Sequence, residues 1–168
     1  MPFPDAETLC RQLAEQIRPN LQPNTVLIGI RTGGEWLARR LHTLLGLQGA
    51  PGAIDISFYR DDYGARGLHG RPQRPDIPFS IEDAAVILVD DVLYTGRTTR
   101  AALNEVFDFG RPASVELAVL VDRGGRELPI AARYCAHTLP ESLPASQNLQ
   151  LEQAEDDKLF LRLIDAQT

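Results

Sequence analysis

Three short, largely apolar runs, each followed by a glycine-containing turn, constrain the fold of this 168-residue chain more than any other feature. They are residues 25–30, 84–89 and 114–121, and a stretch with helical periodicity follows each of the first two. Continuous apolar strands are typical of parallel sheets that are covered on both faces. Strands that alternate with helices predict βαβ units. We therefore predict an α/β fold with a mainly parallel twisted sheet flanked by helices.

Three stretches have the periodicity of amphipathic helices. The first begins after Asp5, a residue type favoured as a helix N-cap. The second follows a tight turn at 31–34 and ends at Gly46, and we expect Trp36 to lie in the core. The third ends near Phe109, which we expect to face inward.

The remaining segments predict a loop and a cap. Residues 53–59 predict a further strand, and 60–78 form a long polar segment rich in Arg, Asp, Gly and Pro. A loop of that length in a compact domain is uncommon unless it is a lid or a binding loop. We predict a flexible active-site loop at 60–78, and alternating leucines predict cap strands over about 135–168. The whole chain, 1–168, is expected to form a single domain.

Composition excludes several functional classes. The net charge of −6 disfavours a generic polyanion binder. No apolar run approaches the roughly 20 residues that a membrane span needs, and the N-terminus lacks the pattern of a signal peptide. We therefore expect a cytoplasmic protein without a membrane interaction. Cys10 and Cys135 are too few for a disulfide framework or a zinc site, and we expect Cys135 to be buried.

The run from residue 90 to residue 99 carries the clearest chemistry. Asp90 and Asp91 end an apolar strand, and a helix is expected to begin at Thr95, Gly96, Arg97, Thr98 and Thr99. Helix N-terminal N–H groups together with hydroxyls bind phosphate dianions, whereas carboxylates suit sugar hydroxyls or a bridging Mg²⁺. The run therefore predicts a ribose phosphate site at the carboxyl ends of the strands. The alternative is that the acids are turn residues and the threonines merely cap the helix.

This run closely resembles the phosphoribosyl-diphosphate (PRPP) signature of type I phosphoribosyltransferases, which implies their fold, with a flexible loop and a small C-terminal hood. The resemblance assigns Asp90 and Asp91 to the ribose 2- and 3-hydroxyls, and residues 95–99 to the 5-phosphate. It assigns the diphosphate to the 31–34 loop and the flexible loop, through Arg31, Thr32, Gly33 and Arg60. It also implies Mg²⁺ as cofactor, bound through the substrate and by the two aspartates.

Residues 57–62, 86–99 and 117–130 together resemble one family more closely, the PyrR family of pyrimidine operon attenuation proteins and uracil phosphoribosyltransferases. This resemblance implies that uracil and PRPP react to give UMP and diphosphate. It implies Asp90, Asp91 and Arg123 as catalytic residues, and a uracil site at Val121, Asp122 and Arg123. We also expect a homodimer or a higher homo-oligomer.

Other substrates remain as alternatives. Purine-specific members usually carry an acid just before the Thr-Gly pair, and here Tyr94 occupies that position, so a purine substrate is disfavoured. Orotate would need additional cationic groups to bind its carboxylate.

A different alternative is a UMP-sensing, RNA-binding attenuator with vestigial catalysis. Members that bind RNA usually have His at the position of Gly125 and basic residues at the positions of Ala131 and His137. Cys10 and Ala14 stand where such members have polar residues on the first helix. A basic face could still come from four arginines, Arg11, Arg18, Arg39 and Arg40. The departures predict that RNA binding is weak or absent.

Overall fold

The structure is a computed structural model that describes residues 3–56 and 75–165, and a five-stranded parallel sheet forms its centre. The spatial order is β2-β1-β3-β4-β5, and every neighbouring pair is parallel. The strands are β1 Thr25–Ile30, β2 Gly52–Ile54, β3 Ala85–Leu93, β4 Ser114–Asp122 and β5 Tyr134–Thr138. The predicted α/β class with a parallel sheet is confirmed.

Helices cover both faces of this sheet. They are α1 Ala6–Ile17, α2 Gly33–Leu45 and α3 Arg97–Phe109. The Asp5 side chain accepts a hydrogen bond from the Thr8 N–H at 3.0 Å, which confirms the predicted N-cap. α1 and α2 pack on one face and α3 packs on the other. In the described part of the chain, no helix is both long and apolar enough to span a bilayer.

A two-stranded antiparallel hairpin, the hood, forms the C-terminal part of the described chain. It consists of β6 Gln147–Gln153 and β7 Leu159–Asp165, so cap strands are present as predicted. The predicted start of the cap near residue 135 is wrong. Residues 134–138 are β5 of the main sheet, because Ala118 on β4 pairs in register with Tyr134.

β3 extends further than its apolar run predicted. We expected it to end at Val89, but the strand continues as far as Leu93, and Asp90, Val92 and Leu93 pair with β4. Successive side chains of a strand point to opposite faces of the sheet. Asp90 therefore lies on the α3 face, and Asp91 lies on the face covered by α1 and α2.

Several other expectations need correction. Phe109 is 47% exposed, because it is the last residue of α3 and no further turn covers it. Trp36 is only partly buried, since it faces a cleft, and Cys135 is only partly buried on the edge strand β5. The predicted 31–34 turn is shorter, because α2 already begins at Gly33.

Two further predictions lie partly outside the described residues. The second strand is shorter than predicted, covering 52–54, and 57–59 are outside the description. Of the predicted 60–78 loop, 60–74 are also outside it. Within the described remainder, Asp76 is tied to β2, because its main chain exchanges two hydrogen bonds of 2.8 Å with Ala53.

The strand order locates the crevice where ligands bind. The connection after β1 leads to β2 on one side, whereas β3 leads on to β4 on the other side. In open α/β sheets, ligands bind at such a switch point, beyond the carboxyl ends of the strands. The segments after β1 and at the end of β3 therefore meet at one crevice.

Gly29 on β1 makes the close approach of α2 to the sheet possible. A Cβ at this position would lie 2.4 Å from the Gly34 carbonyl oxygen and 2.7 Å from the Glu35 Cα, both of which are main-chain atoms. We predict that Gly29→Ala lowers the free energy of unfolding by about 1–3 kcal/mol, because overpacking against main chain cannot relax by rotamer changes. Urea denaturation measures the effect.

Gly52 on the neighbouring strand is the matched control. Its Cβ would lie 3.1 Å from the tip of the Phe79 ring, which can move aside. Gly52→Ala should therefore cost less than about 1 kcal/mol. Equal stability losses in the two variants would contradict the role assigned to Gly29.

Candidate functional site

A cleft of about 880 Å³ lies at the predicted edge of the sheet, beyond the carboxyl ends of β1 and β3. The 31–33 turn forms one part of its wall, and the end of β3 with the following loop forms another. Residues 148–153 of the hood form the side opposite. Three segments that are distant in sequence therefore surround one space.

Most of the predicted site residues meet in this cleft. Those that line it are Arg31, Thr32, Gly33, Asp90, Asp91, Thr95, Arg97, Thr98 and Arg123. Four others lie next to it without lining it, namely Gly96, Thr99, Val121 and Asp122. Arg60 lies outside the described residues.

The two aspartates are held by main-chain hydrogen bonds. Asp90 is 7% exposed, and its Oδ1 accepts the Asp91 N–H at 2.9 Å. Asp91 accepts the Val92 N–H with Oδ1 and the Leu151 N–H of the hood with Oδ2, both at 2.9 Å. A carboxylate has about four acceptor sites. Main-chain donors therefore fix the orientation of both side chains, and Asp91 has further acceptor sites for hydroxyl groups.

Gly33 allows the start of α2 to approach Asp91. A Cβ at position 33 would lie 2.5 Å from Asp91 Oδ2, so a larger residue would displace the carboxylate. The N-terminus of α2 consequently lies at the cleft beside Arg31 and Thr32, and a helix N-terminus favours bound anions.

The loop before α3 forms a second anion site. Gly96 is the N-cap of α3, with φ of 94°, and as a glycine it has no side chain to cap the helix. Thr95 Oγ1 accepts the Arg97 N–H at 3.2 Å, so the alternative in which the threonines cap the helix holds for Thr95. N–H groups of the first turn are left for a ligand.

Segment 127–130 supports this loop from behind. The Thr95 carbonyl accepts N–H groups of Glu127 and Leu128 at 2.9 and 3.1 Å. A Cβ at Gly96 would lie 3.0 Å from Ile130 Cγ1, so only glycine fits between the loop and this side chain. The contact with Ile130 therefore keeps the main chain of this loop close to the cleft.

Thr99 differs from the other residues of the motif. Its side chain is 2% exposed, its hydroxyl has no hydrogen-bond partner, and it lines a second cavity of about 370 Å³ against α3. Its position in the first turn leaves its main chain near the phosphate loop. A contribution from Thr99 to an anion site would therefore come from its N–H group.

The turn after β4 is organised by one ion pair. Asp122 pairs with Arg126, and Arg126 also donates to the main-chain carbonyls of Tyr94 and Ile130, each at 2.8 Å. Partial burial raises the pKa of Asp122, but hydrogen bonds from Arg126 and the Gly124 N–H and the charge of Arg126 outweigh it and lower this pKa. The neighbouring Val121 is wholly buried.

Arg123 is a buried cation at the base of this turn. It is 3% exposed, and its guanidinium lies 3.9 Å from the centroid of the Tyr94 ring. It donates to three main-chain carbonyls of the segment that leads into the hood, those of Leu143, Pro144 and Gln147. Its Nε has no partner among the described residues, and such a buried donor costs about 1–3 kcal/mol.

The sequence analysis missed the hood as part of the site. Alternating leucines predicted the strands, but nothing local indicated that residues 148–153 line the cleft or that the Leu151 N–H reaches Asp91. Trp36 and Glu127, which also line the cleft, were not singled out as site residues either. Glu127 forms an ion pair with Arg97, and this contact joins the turn after β4 to the phosphate loop.

Comparison with known proteins identifies the family. Residues 3–141 match the family model of the phosphoribosyl transferase domain. A Bifunctional protein PyrR of Ralstonia nicotianae is 47% identical over 153 residues, which cover 89% of this chain and 86% of that protein. A Bifunctional protein PyrR of Pseudomonas savastanoi pv. phaseolicola is 44% identical, covering 100% of this chain and 99% of that protein. The chain belongs to the PyrR family of phosphoribosyltransferases.

Solved structures agree with the fold of this PyrR-family chain. A hypoxanthine phosphoribosyltransferase from Staphylococcus aureus superposes with a TM-score of 0.64 at 22% identity. The alignment covers 83% of this chain and 76% of that chain. The predicted type I phosphoribosyltransferase fold is therefore confirmed.

The residues of the cleft fit a metal ion that is bound mainly by substrate. Phosphoribosyltransferases generally use Mg²⁺ with PRPP. Among the described residues, no group of three or more His, Cys, Asp or Glu side chains could hold a metal ion. Mg²⁺ often uses one or two carboxylates together with substrate phosphates. Asp90 and Asp91 are suitable for that part, since both carboxylates line the cleft.

The lowered pKa of Asp122 predicts a pH-dependent contribution to the stability of this PyrR-family chain. The contribution is fully present above the ordinary pKa of about 3.8 and is lost as the pH falls through the lower pKa of the folded state. We predict that Asp122→Asn lowers the free energy of unfolding by about 1 kcal/mol near neutral pH. The difference in stability between wild type and Asp122→Asn should become smaller as the pH falls below about 3.8.

Chemical denaturation at several pH values measures this difference. Asp108→Asn, at an exposed position of α3, is the matched control and should show little change at any pH. A stability difference between wild type and Asp122→Asn that grows as the pH falls would contradict the assignment.

Proposed function

We propose that the chain transfers the phosphoribosyl group of PRPP to uracil, giving UMP and diphosphate. The observation that carries the proposal is the single cleft in which the 31–33 turn, the two aspartates and the Thr-Gly loop meet. Membership of the PyrR family supports the reaction class. The close resemblance of residues 117–130 to that family supports uracil as the acceptor.

The two aspartates hold the ribose in this proposal. Asp90 and Asp91 point to opposite faces of the sheet, and both line the cleft, so they can accept hydrogen bonds from two neighbouring hydroxyls. Their orientation is set by main-chain donors before the substrate arrives. Binding the sugar therefore requires little reorganisation of these side chains.

The anionic ends of PRPP bind at two helix N-termini. The 5-phosphate binds at the start of α3, where Thr95, Arg97 and Thr98 line the cleft. The diphosphate binds at the start of α2, where Arg31, Thr32 and Gly33 line it. Donors on both sides of the ribose match the two ends of the substrate.

The same residues promote the reaction. As the bond from C1 to the diphosphate breaks, negative charge grows on the leaving group, and the Arg31 guanidinium and the α2 N-terminus stabilise it. The ribose hydroxyls stay bound to Asp90 and Asp91, so C1 remains in place for attack by the base. Mg²⁺ would supply further charge neutralisation at the diphosphate when it is bound. The hood, which lines the cleft, would exclude water, which otherwise hydrolyses PRPP.

The uracil subsite lies next to Tyr94 and the turn after β4. Tyr94 has a phenol ring and therefore does not supply the carboxylate expected for a purine. Orotate is disfavoured because the two arginines of this turn are already engaged, Arg123 by hood carbonyls and Arg126 by Asp122. A neutral pyrimidine fits these surroundings best.

Further expectations accompany this function. We propose a single domain over 1–168, because the hood is joined to the rest through Asp91, Arg123 and Glu7, the last of which accepts the Leu159 N–H at 2.8 Å. A homodimer or higher homo-oligomer and a cytoplasmic location remain part of the proposal. Charged substrates such as PRPP cross membranes poorly, which favours the compartment where they are made.

We predict uracil-dependent release of diphosphate from PRPP in the presence of Mg²⁺. Asp90→Asn should lower kcat/KM for PRPP by about 10²-fold, because the ribose loses a charged acceptor. Asp83→Asn is the matched control at the opposite end of β3. Its φ of 57° is tolerated by Asn, and its activity should equal that of wild type.

A panel of bases tests the choice of acceptor in the same assay. Equal or faster turnover with hypoxanthine or orotate would contradict the uracil assignment. Full activity of a correctly folded Asp90→Asn protein would instead contradict the role of that carboxylate.

RNA-dependent regulation is the second candidate function, and the word bifunctional in the name of the relatives favours a second activity. Three of the four arginines that could form a basic face are paired with glutamates: Arg18 with Glu15, Arg39 with Glu35, and Arg40 with Glu7. Such pairing reduces the charge available to RNA phosphates. We therefore propose that UMP binds in the cleft as product and that RNA binding is weak.

Two residues used in the sequence argument require correction here. Cys10 and Ala14 are 0% and 1% exposed, and burial raises the pKa of the Cys10 thiol to about 12. Both face the core between α1 and the sheet, so their lack of polar side chains says nothing about RNA. The departures from RNA-binding members at Gly125, Ala131 and His137 still support the prediction that RNA binding is weak.

We predict no stable complex with pyrimidine-operon leader RNA at nanomolar protein and physiological salt. A gel-shift titration with and without UMP measures this. The expected result is weak binding that disappears as salt rises, because phosphate contacts dominate nonspecific affinity. UMP-enhanced binding at nanomolar protein would establish the regulator as a full second function.

A further inference from the structure

Within the described part of the chain, the side-chain hydrogen bonds of Arg123 all go to one short segment. Its two terminal nitrogens donate to the carbonyls of Gln147 at 2.9 Å, Pro144 at 3.2 Å and Leu143 at 3.4 Å. Its Nε is buried without a partner. Among the described residues, no carboxylate forms an ion pair with it, since the adjacent Asp122 pairs with Arg126.

The planar face of the Arg123 guanidinium also has a partner. It lies 3.9 Å from the centroid of the Tyr94 ring, a distance typical of a strong cation–π contact. The Tyr94 ring is supported by Gly125, where a Cβ would lie 2.6 Å from the ring atom Cε2. With 3% exposure, the guanidinium presents almost no surface to a ligand in the cleft.

We propose that Arg123 is a positioning residue that sets the affinity for the acceptor base by holding segment 143–147, the entrance to the hood, against Tyr94. This inference rests on the proposed function and deepens it. It replaces the direct contact with uracil that the family resemblance implied for Arg123. The base meets Tyr94 and the hood, and Arg123 keeps these two walls together.

The connectivity of the hood explains how this contact reaches the ligand. Gln147 is the first residue of β6, and the next six residues, 148–153, all line the cleft. A shift of segment 143–147 therefore displaces the part of the cleft wall that residues 148–153 form. Further along β6, Leu151 remains tied to Asp91, so the ribose end of the wall has its own anchor.

Arg123→Lys tests the proposal, because one ammonium cannot reach three carbonyls while covering the Tyr94 ring. We expect KM for uracil to rise about tenfold, with KM for PRPP and kcat at saturating uracil within about threefold of wild type. In the ligand-free protein, hydrogen exchange of amides 143–150 should accelerate about tenfold.

Arg133→Lys is the matched control. Arg133 also lies beside a tyrosine, Tyr134, and pairs with Glu116, but it does not line the cleft. This variant should leave both KM values and hood exchange unchanged. Tyr94→Leu provides a second test that leaves Arg123 in place, because it removes the ring that the guanidinium covers. Its hood exchange should accelerate as in Arg123→Lys.

The exchange measurement separates this inference from the proposed function. Accelerated hood exchange in Arg123→Lys and Tyr94→Leu supports the positioning role even if another base proves to be the substrate. Unchanged hood exchange together with a raised KM for uracil would overturn it in favour of direct contact. A loss of kcat with unchanged KM for uracil, or equal effects of Arg133→Lys, would overturn it as well.

Discussion

The Asp91 carboxylate accepts main-chain hydrogen bonds from two separate parts of the molecule, and the shape of the cleft depends on this. Val92 belongs to the same strand, whereas Leu151 belongs to the hood, and Gly33 brings the start of α2 against the same carboxylate. The Asp91 side chain therefore contacts the sheet, the start of α2 and the hood, and it keeps these three elements in place relative to one another. A ligand that binds Asp91 affects the position of all three.

Positively and negatively charged groups alternate along the cleft around the Asp91 carboxylate. The N-termini of α2 and α3 flank the site and carry partial positive charge, and the two aspartates lie between them on β3. A substrate with an anionic group at each end and a diol in the middle matches that sequence of charges. Selectivity for such a molecule thus comes mostly from main-chain geometry, and a few side chains complete it.

Sequence patterns within single segments were sufficient to predict most helices and strands and half of the cleft. Asp5 and Gly46 marked helix ends correctly, and the 90–99 motif located the phosphate loop. The continuation of β3 through Asp90 and Asp91 was missed because it depends on pairing with β4, which is not encoded in the period of one strand. The hydrogen bond from the Leu151 N–H to Asp91 joins residues that are 60 positions apart in the sequence. Because its donor is a main-chain N–H, the residue type at position 151 does not predict it.

Gly125 has a consequence for how such a sequence can change over time. It is exposed, yet any side chain there would collide with the Tyr94 ring that carries Arg123. A residue gained at this position would therefore also disturb the base pocket, and a new ring position at Tyr94 would have to come with it. The two sites are epistatic. Lineages of this chain can acquire a new outer surface at the turn only through paired substitutions, so single-step evolutionary paths are fewer here than exposure alone suggests.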